Sequence, residues 1–138
     1  VVINFWATWC QPSICTTGTH DMNPLRAWWE EDRGVTQRFY NQVLGAWGDA
    51  PYFCEPWICE QVVAMHLKSP AMLTVLPLQD WLAMDGELRR ENPNDERINV
   101  PANSRHYWRY RMHLSLEELL KADNLNAMIR QKIAESGR

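Results

Sequence analysis

Residues 14–32 read ICTTGTHDMNPLRAWWEED, and the fold turns on how this stretch is divided. Its first part, 14–19, is rich in Ile and Thr, whose β-branched side chains favour extended backbone. Asn23-Pro24 then predicts the start of a helix, with Pro at a first-turn position where its missing N–H costs nothing. Leu25, Trp28 and Trp29 give that helix an apolar face, and Arg33-Gly34 is expected to end it. Between strand and helix lies His20-Asp21. A strand whose C-terminal end runs into His and Asp is where an α/β fold places polar chemistry.

Further along, Thr36 is expected to cap a second helix carrying Phe39, Val43 and Leu44, closed by Gly45 and Gly48. Pro56 opens a third helix, with Ile58, Val62 and Met65 at helical spacing, and Ser69-Pro70 stops it. The run AMLTVLPLQD (71–80) predicts a second buried strand, followed by a short helical turn over 79–84 that Asp80 caps. Residues 85–105 are a polar loop. Within it, RRENPNDER (89–97) carries both signs of charge and is expected on the solvated surface. A loop of about twenty residues is long enough to point to binding. SLEE (115–118) is a capping box, opening a helix through Lys121. A last amphipathic helix carries Leu125, Ile129 and Ile133 and ends near Gly137. The alternation of strands and helices predicts an α/β fold, rich in helix.

Composition bounds the function. The chain has 138 residues, 46% of them hydrophobic and 22% charged, which suits one globular domain. A net charge of −3 gives no electrostatic reason to expect nucleic acid or an anionic membrane surface. No stretch reaches the ~20 apolar residues of a membrane span, and the first residues lack a signal peptide's basic start. A cytoplasmic location with reduced thiols is therefore expected. Cys10–Cys15 and Cys54–Cys59 each enclose four residues, which is not the spacing of a zinc knuckle or dithiol centre. They read as four buried thiols, with no metal site. Eight Trp are many for this length and suit both a core and sugar-stacking surfaces.

Two resemblances divide the chain. Residues 1–12, VVINFWATWCQP, resemble the central strand and active-site turn of thioredoxins, with Trp9, Cys10 and Pro12 in place. That likeness implies a redox thiol at Cys10. Ser13, however, stands where the second cysteine falls, and a serine cannot resolve a mixed disulfide. The other reading of 1–9 is a buried leader strand, and it is the stronger one. Whether the junction near Pro12-Ser13 is natural or foreign stays open.

Residues 13–138 resemble the amylomaltases, the 4-α-glucanotransferases or disproportionating enzymes of glycoside hydrolase family 77. The likeness runs through ICTTGTHDMNPLRAWWEED, TQRFYNQVLG (36–45), CEPWICEQVVAMHLKSPAM (54–72), LPLQDWLAMD (76–85) and ELRRENPNDERINVPANSRHYWRYRMHLSLEELL (87–120). It implies the last strands and helices of a (β/α)8 TIM barrel, with His20-Asp21 and Gln79-Asp80 after the seventh and eighth strands. It implies retaining transfer of α-1,4-glucan segments between maltooligosaccharides or glucans, with no cofactor. By this resemblance Asp21 is the carboxylate that holds ring hydroxyls and stabilises the oxocarbenium-like transition state, and His20 donates to the same sugar. RINVPAN (97–103) resembles a loop beside the family's cleft, which makes Asn99 and Asn103 candidates to touch sugar hydroxyls. Turn formation is an equal reading for both asparagines. Trp108 and Arg109 are expected to pack that loop. Read without the family, Asp21 is a helix N-cap and His20 a buried imidazole.

Retaining transfer also needs a nucleophile and an acid/base carboxylate, roughly 5–5.5 Å apart. The twelve residues before Ser13 contain no Asp or Glu. The 138 residues alone are therefore expected to be inactive, and to self-associate through unpaired barrel edges. The alternatives are a non-catalytic carbohydrate-binding or assembly piece, and a monothiol redox protein built on Cys10.

Overall fold

The computed structural model describes residues 13–138. Cys10 and the strand expected over 1–9 lie outside the described residues. Two short strands, β1 (Ile14–Cys15) and β2 (Leu73–Thr74), pair in parallel with Ile14 opposite Leu73. A parallel pair needs a long crossover. Here it holds three helices, α1 (Leu25–Glu31), α2 (Arg33–Gln42) and α3 (Pro56–Leu67). After β2 come α4 (Leu78–Leu82), a 3-10 turn (Pro93–Glu96), α5 (Leu116–Lys121) and α6 (Asp123–Ser136). The α/β, helix-rich reading holds.

Both strands are shorter than the expected runs of 14–19 and 71–80. The threonines after β1 leave the ladder for local partners: Thr16 Oγ1 donates to the Gly18 carbonyl at 2.8 Å, and Thr17 donates to Asp80. After β2, Val75 N still donates to Cys15 O at 2.9 Å, and Pro77 then caps α4.

Asp32 is the single residue between α1 and α2, and it changes the expected boundary. Its carboxylate accepts from Gly34 N at 2.8 Å and Val35 N at 3.1 Å, so α2 begins at Arg33, where α1 was expected to end. Thr36 is accordingly no cap. It is fully buried one turn in, its hydroxyl donating to the carbonyls of Trp29 (2.6 Å) and Asp32 (2.9 Å). Such back-bonding ties α2 onto α1. Val43 is substantially exposed and is not part of the core.

The core sits where α1, α2, α3, α4 and α6 meet, with Leu25, Trp29, Phe39, Ile58, Val62, Leu82 and Leu125 among its buried residues. Helix α3 buries one broad face, Ile58, Cys59, Val62, Val63, His66 and Leu67, at the i, i+1, i+4, i+5 spacing of a helix packed against a core. Lys132 of α6 pairs with Glu60 of α3 at 2.6 Å on its outer edge. The capping box forms as expected, Ser115 Oγ accepting from Glu118 N while the Glu118 carboxylate accepts from Ser115 N. Gly137 ends α6 at φ 77°, a left-handed conformation that a side chain would strain. Cys54 and Cys59 are buried, their sulfurs 3.4 Å apart, whereas Cys15 is only half-buried, against the expectation. Around the strands, Ile14, Met72, Leu73 and Val75 remain exposed.

Candidate active site

Two carboxylates follow the two strands, and burial separates them. Asp80 is almost wholly buried inside α4. It does not cap its own helix. Its Oδ1 accepts from Leu25 N at 2.9 Å, the first residue of α1, and its Oδ2 accepts the Thr17 hydroxyl. Asp80 is thus a cap supplied from 55 residues away, filling the role that Pro24 cannot. Burial pushes its carboxyl up, and the bonds from Thr17 and Leu25 and the nearby His66 pull it back down.

Asp21 is half exposed. It makes no cap to α1. Instead its Oδ1 accepts from Asn99 Nδ2 at 2.6 Å, and His20 Nε2 stands 3.4 Å from the same oxygen. Among the described residues, no hydrogen bond reaches Oδ2. His20 is also half exposed, which removes the buried-imidazole reading. Its ring lies 4.9 Å from that of Trp108, tilted by 48°. Trp108 is 60% exposed, so it flanks the site and does not pack the loop beneath it. Arg109 lies over the ring of Tyr107, 4.7 Å from its centre.

Asn99 grips this stretch twice. Its backbone N donates to His20 O at 3.1 Å, while its side chain holds Asp21. Its Oδ1 accepts from Val100 N at 2.9 Å. Asn103 sits elsewhere and forms a turn: its N donates to Val100 O, and its Oδ1 accepts from Arg105 N at 3.0 Å. The structure thus brings Asp21, His20 and Asn99 together and leaves Asn103 outside.

Beside them a cleft of about 320 Å³ opens between the ends of the two strands. Thr16, Gly18 and His20 line one wall and Leu76, Gln79 and Glu96 the other. Glu96 is 1% exposed, although RRENPNDER was expected on the surface. It faces Arg26, itself buried, with Nη1 to Oε2 at 3.8 Å. Burial pushes the Glu96 carboxyl up to about 7, against the pull of Arg26. Sequence reasoning missed Trp108 and Glu96 as parts of this region. A Trp two residues beyond His106 in the same loop was the available signal for the first. Nothing local marks the second.

A fixed, half-exposed carboxylate beside an amide, an imidazole and an open indole is suited to a polyhydroxylated ring. The carboxylate accepts hydroxyl hydrogens, and the indole covers an apolar face. Among the described residues, no group of three His, Cys, Asp or Glu is placed to hold a metal.

The fold matches one part of an amylomaltase. The chain superposes on the amylomaltase from Streptococcus agalactiae, solved in complex with acarbose, with a TM-score of 0.65 over 91% of this chain and 22% of that one, at 21% identity. The family model for 4-alpha-glucanotransferases matches residues 5–117, and the chain belongs to that family, glycoside hydrolase family 77. Among its relatives, the 4-alpha-glucanotransferase DPE2 of Oryza sativa subsp. japonica is 39% identical over 126 residues, 91% of this chain and 13% of the relative. The 4-alpha-glucanotransferase of Chlamydia caviae is 31% identical over 122 residues, 85% of this chain and 22% of the relative. The chain therefore spans between about an eighth and a quarter of the proteins it matches.

Proposed function

We propose that these residues form part of a 4-α-glucanotransferase, and that Asp21 holds the sugar ring at the bond being cleaved. The observation that carries this is the Asp21 carboxylate, half exposed beyond β1, with Oδ1 fixed by Asn99 and no bond on Oδ2 from any of the described residues. A carboxylate so fixed accepts hydroxyl hydrogens without reorganising, which favours the charged transition state over the ground state. His20 and Trp108 offer a donor and an aromatic face to the same ring. The substrate is an α-1,4-glucan or maltooligosaccharide, a reading that the acarbose complex of the streptococcal amylomaltase supports. In this reading the chain is the last part of a (β/α)8 barrel, β1 and β2 being its closing strands. The nucleophile and acid/base carboxylates come from elsewhere in that barrel, since Asp80 is committed to capping α1. The free thiols of Cys15, Cys54 and Cys59 suit a cytoplasmic location.

The test is a titration of the 138-residue chain with maltoheptaose, followed by NMR. Wild type should bind, and Asp21→Ala should weaken binding about tenfold or more, the worth of hydrogen bonds to a charged group. Incubation of the same chain with maltotriose should yield no disproportionation products. Equal affinity in Asp21→Ala removes the assignment, and turnover by the chain itself removes the reading of an incomplete catalytic set.

The exposed Ile14, Met72, Leu73 and Val75 beside a two-stranded sheet also predict self-association of the isolated chain. Sedimentation velocity over a concentration series should show species larger than a monomer. A single monomeric boundary at every concentration contradicts this.

A further inference from the structure

Trp47 is the most exposed large apolar side chain among the described residues, at 94%. It stands at the tip of the turn between α2 and α3, and that turn is tightly built. Gly45 and Gly48 flank it at φ 67° and 84°, left-handed values that favour glycine. Two side-chain amides of α2 staple the backbone on both sides of the indole. Asn41 Nδ2 donates to Ala46 O at 2.8 Å and to Gly48 O at 3.3 Å. Gln37 Nε2 donates to Gly48 O at 2.8 Å, and its Oε1 accepts from Ala50 N at 2.8 Å. Gln37 also donates to Asn41 Oδ1 at 2.7 Å, which fixes the two amides to each other.

The indole itself takes no part in this. Among the described residues it has neither a hydrogen-bond partner nor a ring partner. The core gains nothing from it, and a small polar side chain would serve the turn as well. Beside it lies an open concavity of about 690 Å³. Trp47 is the one large apolar side chain among the described residues that line it; the rest of the wall is small or polar and includes Asp49. The Asp49 carboxylate is exposed and has no partner among the described residues. A protein partner's hot spot sits within a ring of contacts that exclude water, and this indole has no such ring. Its surroundings fit a small amphiphilic ligand, with an apolar face for the indole and hydroxyls for the carboxylate and the indole N–H. A pyranose ring has that form. The pair also repeats the indole and carboxylate set of Trp108 and Asp21.

We propose that Trp47 and Asp49 form a second sugar-binding site, which holds an α-1,4-glucan chain outside the cleft. This rests on the reading of the substrate as an α-1,4-glucan. Trp47 stacks on one glucose ring, and Asp49 accepts a hydroxyl hydrogen from it. A glucan long enough to reach both sites stays attached at one while it exchanges at the other, each contact raising the effective concentration of the next. The two sites share no lining residue. None of the hydrogen bonds from the α2 side chains to the turn involves residues 16–26. The second site can therefore be lengthened or lost in a relative without disturbing Asp21.

The experiment is a titration of the 138-residue chain with maltoheptaose, followed by NMR at the Trp47 indole N–H and the Asp49 backbone amide. Both should shift saturably, with a Kd in the millimolar range, in wild type and equally in Asp21→Ala. Trp47→Ala should lose the Asp49 response, and Asp49→Ala should weaken binding at Trp47 about tenfold. Both positions are exposed, so the urea midpoint should stay that of wild type in each variant. Silence at Trp47 overturns the inference even where Asp21 responds, and so does an Asp49→Ala titration equal to that of wild type. A Trp47 shift that follows protein concentration and not sugar also overturns it, because a second copy of the chain then covers the indole. A response at Trp47 with none at Asp21 supports the second site and removes the Asp21 reading instead.

Discussion

Asp80→Ala is expected to cost about 3 kcal/mol of unfolding free energy. Two hydrogen bonds to a charged acceptor disappear together. Leu25 N is left without a partner at the head of α1, and the Thr17 hydroxyl loses its acceptor at the end of β1. Each such bond is worth roughly 1.5–3 kcal/mol, and relief of the buried charge returns part of the sum. Asp80→Asn separates the terms. It keeps an acceptor for Leu25 N, and Thr17 can turn to accept from the new amide, so a loss of about 1 kcal/mol is expected. Urea unfolding of both variants, followed by circular dichroism, decides the matter. Asp80→Ala within about 0.5 kcal/mol of wild type would mean that α1 is held by its packing and not by its cap.

Glu96→Gln should do the opposite and stabilise the fold near neutral pH. The Glu96 carboxyl is raised from 4.5 in the unfolded chain to about 7 in the folded one. The folded protein therefore binds this proton more tightly than the unfolded chain does. The stability due to it is fully present below about 4.5 and is lost as pH rises through about 7. The difference amounts to about 3 kcal/mol, because the side chain is shut away from solvent. Gln, which cannot ionise, escapes this loss. The measured quantity is the gap in unfolding free energy between Glu96→Gln and wild type. It should be small at pH 4 and grow to about 3 kcal/mol above pH 7, in favour of the variant. Asp80, whose carboxyl is also raised by burial, adds a slope common to both proteins that cancels in the gap. A gap independent of pH refutes the buried-charge account.

Several local signals, whose partners lie within one turn, were readable in the sequence. The Ser115–Glu118 box, the Pro56 start of α3 and the Gly137 stop of α6 all stand where the residues predict. Thr36 misled because Asp32, four residues earlier, is the better cap and accepts from two N–H groups at once. The strands were overread because apolar β-branched runs say nothing about where the ladder stops. Here threonine hydroxyls and Pro77 stop it. Of the candidate site, the family resemblance pointed to His20 and Asp21, which the structure places beside Asn99. Asn99 was legible as a neighbour of the cleft, but its grip on Asp21 spans 78 residues of chain, and no local pattern encodes that distance. RRENPNDER looked like a solvated run since its composition is mostly solvated. Burial of Glu96 depends on Arg26, which sits in a helix seventy residues earlier.

The adjacency of Leu25 and Arg26 has a consequence for how this region tolerates insertions and deletions. Leu25 is the residue that Asp80 pins, and Arg26 is the residue that grips the loop carrying Asn99. The start of α1 therefore works as a ruler with one fixed mark. Adding a single residue between the pinned amide and the arginine would swing the guanidinium by about 100° around the helix axis, away from the Arg90 and Glu91 carbonyls. The turn over residues 45–50 is held by Arg33, Gln37 and Asn41 of α2, and none of the hydrogen bonds that hold it involves residues 16–26. Natural length variation among homologues should accumulate in that turn and be absent from residues 16–26.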